Sequence, residues 1–241
     1  FVNGGFSKKF LEVSGELGKN AGNKEVAPGA GFAQSDLAIP NGVELVCFTH
    51  NETSTGVKTD FELIKQVKKE NPDKLIAVDV VSSAPCVDIE FDAADCVFFS
   101  VQKAFGLPSG LGVLIVSPQA IEKSRQLSEK KNGATGSYHS FSSLEKSSDR
   151  LETPETPNVL DLHLLGVSCM ELNKKGRAKI IRETNEKAAR LCSFFDEGKK
   201  YECFVKNTGW RSNTIIVLNT PMGGARVIDD LGAKGFVVGT G

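Results

Sequence analysis

Polar side chains stand at the ends of three apolar segments of the sequence. Thr53 follows the segment 43–49, Asp79 lies near the end of the segment 75–81, and Lys103 follows the segment 95–101. Short apolar segments of this kind are typical of buried strands in a parallel sheet. The carboxyl ends of such strands meet at one edge, where ligands bind. The spacing therefore predicts a hydroxyl group, a carboxylate and an amine around one crevice.

These three groups match the requirements of a pyridoxal phosphate site. The amine of Lys103 would form a Schiff base with the aldehyde of the cofactor, and Asp79 would keep the pyridine nitrogen protonated so that the ring accepts electrons. The hydroxyl group of Thr53 would bind the ring oxygen and orient the cofactor. We expect Lys103 to be partly buried, because burial favours the uncharged and nucleophilic form of an amine.

Each of these residues also has an ordinary structural explanation. A lysine after a strand is usually a solvated loop residue, and a threonine such as Thr53 often belongs to a turn. Lys103, however, follows apolar residues and precedes the uncharged segment 104–112. Asp79 interrupts an apolar strand, where an unpaired carboxylate costs about 3 kcal/mol or more, so we expect a cationic partner. A structural ion pair or a cap is the alternative explanation of this carboxylate.

The sequence around these residues alternates strands and helices. The predicted strands are residues 43–49, 75–81, 95–101 and 111–116, and the predicted helices, from the spacing of their apolar residues, are residues 6–17, 60–70 and 118–127. Strand, helix and strand in succession form a βαβ unit. We therefore predict an α/β fold with a mostly parallel sheet and covering helices.

The carboxy-terminal part is predicted to be organised differently. Its predicted features are a polar surface excursion (132–148), two helices (159–172 and 180–195) and two strands (214–218 and 236–238). The composition changes near Gly176, which separates the two helices. We place a domain boundary there, so that residues 1–175 are part of a large cofactor-binding domain. Residues 176–241 would then be part of a small α+β domain.

Composition argues against several classes of protein. The formal net charge of −1 disfavours a nucleic-acid partner, which would need a basic surface. The six cysteines form no C-x-x-C pair and most lie in apolar runs, so we expect free thiols and a cytoplasmic protein. No apolar stretch approaches the length of a membrane span, and the three histidines lack the spacing of metal ligands. No G-x-G-x-x-G follows a strand, which disfavours a nicotinamide-dependent enzyme.

Four short motifs follow one another along the chain: residues 49–57 (THNETSTGV), 79–83 (DVVSS), 100–112 (SVQKAFGLPSGLG) and 153–158 (TPETPN). Together they resemble the class-V aminotransferases, and among these the phosphoserine aminotransferases. They occur in the order of the family, and the resemblance covers the whole chain. It implies the type I pyridoxal-phosphate-dependent aminotransferase fold, which agrees with the βαβ reading.

The resemblance implies a role for each of the three residues at the predicted edge. Lys103 would carry pyridoxal 5′-phosphate and would move the proton between the substrate carbon and the cofactor. Asp79 would hold the pyridine nitrogen, and Thr53 would donate a hydrogen bond to the phenolic oxygen.

The resemblance also implies four further cofactor contacts. Gln102 would bind the cofactor phosphate, together with Thr153 supplied by the second subunit of a homodimer. Val81 would pack on one face of the ring and Phe6 on the other, although many relatives have a tryptophan at that position. A core residue at the start of a helix would explain Phe6 nearly as well.

The activity implied by the resemblance is a transamination of serine biosynthesis. It would exchange an amino group between O-phospho-L-serine and 2-oxoglutarate with ping-pong kinetics. One alternative is an alanine–glyoxylate or serine–pyruvate aminotransferase, and another is a non-catalytic homologue that keeps the fold. Because the chain begins without Met and ends directly after an apolar run, we expect an internal piece of a longer protein. Such a piece would lack the glycine-rich phosphate loop and the substrate-binding arginine of the family, and would be inactive alone.

Overall fold

A computed structural model describes residues 1–129, 138–198 and 200–239 of the 241-residue chain. The strands in these residues are β1 (Leu45–Thr49), β2 (Asn51–Glu52), β3 (Val57–Lys58), β4 (Leu75–Asp79), β5 (Cys96–Ser100), β6 (Gly112–Val116), β7 (Glu202–Cys203) and β8 (Leu218–Asn219). The α-helices are α1 (Gly5–Glu16), α2 (Phe61–Glu70), α3 (Pro118–Glu129), α4 (Phe141–Ser148), α5 (Val159–Lys175), α6 (Arg177–Glu197) and α7 (Gly224–Gly232).

Four strands form the main sheet in the order β1, β4, β5, β6. The first three run parallel, with Thr49 opposite Asp79 and Asp79 opposite Phe98. Strand β6 runs antiparallel to β5, because residues 101–111 return directly to the same edge and are too few for a crossover helix. The predicted mostly parallel sheet is confirmed, and the carboxyl ends of β1, β4 and β5 share one edge.

Helix α2 covers one face of this sheet. Its buried side chains Phe61, Ile64 and Val67 recur every third residue and therefore lie on one side of the helix. They belong to the same buried cluster as Phe48 of β1 and Ile76 of β4. Burial of each large apolar side chain contributes about 1.5–3 kcal/mol, so this core fixes β1 and β4 against the helix.

A partly buried ion pair joins α2 to the amino end of the sheet. The Asp95 carboxylate lies 2.8 Å from Nζ of Lys68, and it also accepts hydrogen bonds from the Ile76 N–H and the Ser117 hydroxyl group, each at 2.8 Å. These partners compensate for the loss of hydration of the buried charge. Asp95 directly precedes β5, so the ion pair lies at the end of the sheet opposite the predicted crevice.

The break at Gly176 separates α5 from α6. Its φ angle of +86° lies in the left-handed region that favours glycine, so one helix ends and the next begins there. The predicted domain boundary coincides with this break, and the division into two domains remains a prediction. No helix among the described residues combines the length and apolar character needed to cross a bilayer.

The predicted surface excursion at 132–148 lies partly outside the described residues. Its described end instead forms helix α4, which begins after Ser140. The Ser140 hydroxyl oxygen accepts a hydrogen bond from the Ser143 N–H at 3.2 Å. The serines of this segment therefore include a helix cap, a role that polar composition does not distinguish from a loop.

The two predicted carboxy-terminal strands are mostly wrong. Only Leu218 of residues 214–218 lies in a strand, and residues 236–238 lie in neither helix nor strand. The Ser212 hydroxyl oxygen accepts hydrogen bonds from the N–H groups of Thr214 and Ile215, each at 3.0 Å. A side chain thus takes backbone donors that a neighbouring strand would otherwise bind.

Candidate active site

The shared carboxyl edge of β1, β4 and β5 carries the predicted site. Asp79 is the last residue of β4, and the segments with Thr53 and Lys103 follow β1 and β5. Because β4 pairs with both neighbours, Asp79 lies between these two segments. The sheet therefore brings the predicted carboxylate, hydroxyl group and amine to one edge.

Asp79 is a partly buried carboxylate whose partner is a backbone donor. Its Oδ1 accepts a hydrogen bond from the Val81 N–H at 2.8 Å. Burial raises the pKa of Asp79, and the negative charge of Glu52 raises it further, while the Val81 hydrogen bond acts in the opposite direction. No lysine or arginine among the described residues forms an ion pair with Asp79, so the predicted cationic partner is not a side chain of this part of the chain and remains a prediction. This carboxylate is therefore suited to gain a cationic partner.

Lys103 and Gln102 are exposed residues of the turn that joins β5 to β6. The expected partial burial of Lys103 was wrong, because its side chain is exposed in this turn. The turn itself is anchored: the Phe105 ring stacks on Phe99 with 4.9 Å between ring centroids, and the Phe105 carbonyl accepts a hydrogen bond from the Ser168 hydroxyl group at 3.2 Å. An accessible amine on a fixed turn can react with an aldehyde from outside the chain.

Thr53 is partly buried in the tight turn between β2 and β3. The Gly56 N–H closes this turn on the Glu52 carbonyl at 2.8 Å, and Gly56 has a φ angle of +72° that favours glycine. Thr53 therefore has a fixed backbone.

The two predicted ring contacts, Phe6 and Val81, are differently placed. Phe6 lies in the first turn of α1 with 52% of its surface exposed, so it is not the core residue that we considered as an alternative. Val81 is partly buried directly after β4. Both offer apolar surface that a planar ligand would cover.

Thr153 lies in an exposed turn after α4. Its hydroxyl group donates a hydrogen bond to the Glu155 carbonyl at 2.6 Å, and the Glu155 side chain lies 2.7 Å from Nε2 of His139. The hydroxyl group is thus engaged within its own turn, and its predicted role across a subunit interface remains a prediction.

His50 is a buried neighbour of the site. It directly follows β1, is 2% exposed and stacks on Phe61 with 4.7 Å between ring centroids. Burial lowers the pKa of His50 to about 3, and the positive charge of Lys58 contributes in the same direction. The imidazole is therefore neutral at physiological pH.

The sequence reasoning missed a polar network beside the site. Asn51 donates hydrogen bonds to the hydroxyl groups of Ser82 at 2.7 Å and Thr214 at 3.2 Å, and Thr214 donates one to the Ser82 carbonyl at 2.7 Å. Glu52 was recognised as part of a motif but was given no role, whereas the structure buries it fully at the amino end of α1. The sequence signal that could have indicated both is the pair of polar residues, Asn51 and Glu52, close behind a buried strand.

The family to which the chain belongs follows from comparison with known sequences. A sequence profile of the family described as Aminotransferase class-V matches residues 31–241. The chain belongs to this family. Among class-V relatives, the phosphoserine aminotransferase of Rhodococcus opacus is 29% identical over 239 residues, which cover 98% of this chain and 62% of the relative. A serine–glyoxylate aminotransferase of Hyphomicrobium methylovorum is 30% identical over 185 residues, which cover 75% of this chain and 44% of the relative.

Solved structures agree with the family assignment. A phosphoserine aminotransferase from Cytophaga hutchinsonii superimposes with a TM-score of 0.94 at 41% identity, over 99% of this chain and 66% of that one. An aspartate aminotransferase from Thermus thermophilus shares the fold, with a TM-score of 0.84 at 24% identity over 98% of this chain and 65% of that one. The predicted type I aminotransferase fold is confirmed, and it is the fold of pyridoxal-phosphate enzymes, as expected. The class-V chain spans 62% of the length of the Rhodococcus relative.

Proposed function

We propose that the full-length protein is a pyridoxal-phosphate-dependent aminotransferase that transfers the amino group between O-phospho-L-serine and 2-oxoglutarate. The observation that carries this proposal is the placement of Asp79, Thr53 and Lys103 at one sheet edge. The choice of phosphoserine is supported by similarity to phosphoserine aminotransferases at 29% and 41% identity.

The residues of this chain fit pyridoxal 5′-phosphate. Asp79 lacks a cation among the described residues, and a protonated pyridine nitrogen would supply one and offset the burial that raises the pKa of Asp79. The exposed Phe6 ring and the partly buried Val81 would flank the cofactor ring. Thr53 would donate a hydrogen bond to the phenolic oxygen.

Two residues would hold the cofactor phosphate. Gln102 is exposed beside Lys103 and can donate its side-chain N–H groups without competition from the core. Thr153 would come from the second subunit of a homodimer, in which its hydroxyl group would exchange the Glu155 carbonyl for a phosphate oxygen.

Lys103 is the residue that would do chemistry. The bound cofactor supplies an electron sink for the pair of electrons left when the α-carbon of the substrate loses its proton. The Lys103 amine would hold the cofactor and would take up and return that proton. Its exposed position on an anchored turn leaves it free to serve both tasks.

We further propose that the protein acts in the cytoplasm on an amino acid and a keto acid. All six cysteines are free thiols, as a reducing compartment requires. For two of them, Cys47 and Cys96, burial raises the pKa of the thiol to about 11, so they remain uncharged.

A second candidate keeps the chemistry and changes the substrate. The chain is also similar to a serine–glyoxylate aminotransferase at 30% identity, and to an alanine–glyoxylate aminotransferase of Saccharomyces cerevisiae at 33% identity over 150 residues, 58% of this chain and 38% of the relative. Alanine or serine would then be the amino donor. A non-catalytic homologue would have no use for both Asp79 and Lys103 at the sheet edge.

The decisive experiment is the absorbance spectrum of the full-length protein with pyridoxal phosphate. We compare wild type, Lys103→Ala and, as the matched control, Lys69→Ala, which removes an exposed lysine of α2. We expect a cofactor band in wild type and Lys69→Ala that is lost in Lys103→Ala and that changes when O-phosphoserine is added. A band that only alanine or serine changes would move the substrate to the second candidate. No lysine-dependent band would refute the enzyme and leave a binding scaffold.

A further inference from the structure

The buried carboxylate of Glu52 joins two segments of the chain. Its Oε2 accepts hydrogen bonds from the Ser7 N–H at 2.8 Å and hydroxyl group at 2.9 Å, and its Oε1 accepts one from the Phe6 N–H at 3.2 Å. Oε1 also accepts from the Ser54 hydroxyl group at 2.8 Å and N–H at 3.2 Å. Five donors thus converge on a side chain that is 0% exposed.

The backbone at the start of α1 lies directly against this side chain. A Cβ atom at Gly4 would lie 2.6 Å from both Cδ of Glu52 and Oγ of Ser54. The Gly5 N–H donates a hydrogen bond to the same Ser54 oxygen at 2.8 Å. The φ angle of Gly4 is 168°, which any residue adopts, so it is the lack of space that requires glycine here. The first turn of α1 is therefore docked closely on the Glu52–Ser54 turn.

We propose that Glu52 is a positioning residue that holds the Thr53 hydroxyl group and the Phe6 ring at a fixed separation, so that both reach one bound cofactor. This inference rests on the proposed function. Thr53 lies between Glu52 and Ser54. Phe6 lies in the helical turn whose N–H groups donate hydrogen bonds to the side chains of these two residues. Because Phe6 is 52% exposed and Thr53 only partly buried, core packing does not hold either side chain. Their placement depends on the backbone beneath them.

An ionised carboxylate suits this position. The first turn of a helix has free N–H groups and a partial positive charge, and both favour an anion. The five groups around Glu52, which belong to Phe6, Ser7 and Ser54, all donate hydrogen bonds to it. A carboxylate only accepts hydrogen bonds and therefore matches all five. A glutamine of nearly the same size would point its own N–H groups at some of these donors. The Glu52→Gln substitution therefore removes the match and leaves the volume almost unchanged.

The test compares Glu52→Gln with Asp95→Asn in the full-length protein. Both carboxylates are buried and accept several hydrogen bonds, but Asp95 lies at the opposite end of the sheet. We expect Glu52→Gln to raise the dissociation constant for pyridoxal phosphate about 10- to 100-fold, the range found for groups that orient metal ligands. The circular dichroism band of the bound cofactor should also change at saturation. Asp95→Asn should lower stability to urea and leave affinity and band as in wild type.

A second readout uses the cofactor-free protein. Hydrogen exchange in the peptide that contains Phe6 and Ser7 should be faster in Glu52→Gln than in wild type or Asp95→Asn. The Phe6 and Ser7 N–H groups donate to different oxygens of Glu52, so one of these two backbone donors of α1 loses its acceptor when an amide nitrogen replaces that oxygen. The milder variant Ser54→Ala removes the hydroxyl bonds to Glu52 and to the Gly5 N–H, and decides the matter if Glu52→Gln does not fold. It should raise the dissociation constant about threefold.

The outcomes separate this inference from the proposed function. Suppose that wild type shows the Lys103-dependent band and that both Glu52→Gln and Ser54→Ala keep the wild-type affinity for pyridoxal phosphate and the wild-type dichroism. Glu52 is then only structural, and the inference is overturned while the proposed function stands. If Ser54→Ala or Glu52→Gln weakens binding as expected while Asp95→Asn does not, the inference is supported. If wild type shows no Lys103-dependent band, the proposed function and the inference both fall.

Discussion

His50 should make the stability of the protein depend on pH below 6.5. Its pKa falls from 6.5 in the unfolded chain to about 3 in the folded one, because burial disfavours the charged ring and Lys58 adds repulsion. The native ring therefore stays neutral while the unfolded chain takes up a proton, so stability is complete above pH 6.5 and is lost progressively down to about pH 3. A pH of 5 lies about 1.5 units below 6.5, and at about 1.36 kcal/mol per unit the loss there is about 2 kcal/mol.

The assay is urea unfolding of the full-length protein at pH 8 and pH 5. The variant His50→Phe keeps a ring that can stack on Phe61 but cannot titrate. Its loss of unfolding free energy between the two pH values should be about 2 kcal/mol smaller than that of wild type. His163→Asn, which replaces an exposed histidine, is the control and should behave as wild type. An equal loss in wild type and His50→Phe would refute the reasoning, since a neutral buried imidazole must produce a difference.

Two further substitutions test the site through their effects on the free energy of unfolding. Because burial raises the native pKa of Asp79, wild type loses stability as the pH rises from 3.8 through that raised pKa. Without cofactor, the Asp79→Asn variant should therefore have a higher free energy of unfolding in urea than wild type at pH 7 and an equal one at pH 3. The variant should also bind added pyridoxal phosphate more weakly. A lower free energy of unfolding than wild type at pH 7 would contradict this reasoning. Gly4→Ala should lower the free energy of unfolding by about 1–3 kcal/mol, because its Cβ atom would clash with Glu52. Gly15→Ala, at a position in α1 with open space around it, should raise the free energy of unfolding by about 0.5–1 kcal/mol. Similar effects of the two substitutions would show that the structure around Gly4 can shift to accept a side chain.

The sheet edge could be predicted because its signals are local. Strands β1 and β4 are continuous apolar runs, and α2 carries Phe61, Ile64 and Val67 at regular spacing, so type and order follow from neighbouring residues. Parallel strands then place Asp79 and Lys103 at one edge by topology alone. The antiparallel direction of β6 follows from the length of its connection rather than from its composition.

The environment of each side chain could not be predicted in the same way. Lys103 is exposed in the turn between β5 and β6, and the conformation of that turn depends on distant contacts such as Ser168 with Phe105. The sequence shows Glu52 only as a carboxylate, whereas its donors include backbone groups 45 and 46 residues away. The strand predicted at 214–218 was wrong because the Ser212 side chain accepts hydrogen bonds from the local backbone N–H groups. A run of β-branched residues predicts a strand whether or not a nearby side chain takes these donors.

The Asn51–Ser82–Thr214 network has a consequence for the order in which the protein folds. Its hydrogen bonds join residues 163 and 132 positions apart, so a ribosome must deliver the chain beyond Thr214 before they can form. Contacts of such long separation are costly to close and form late. Strands β1 and β4 can pair much earlier, so a nascent chain would hold a finished core beside an unfinished edge at the proposed site.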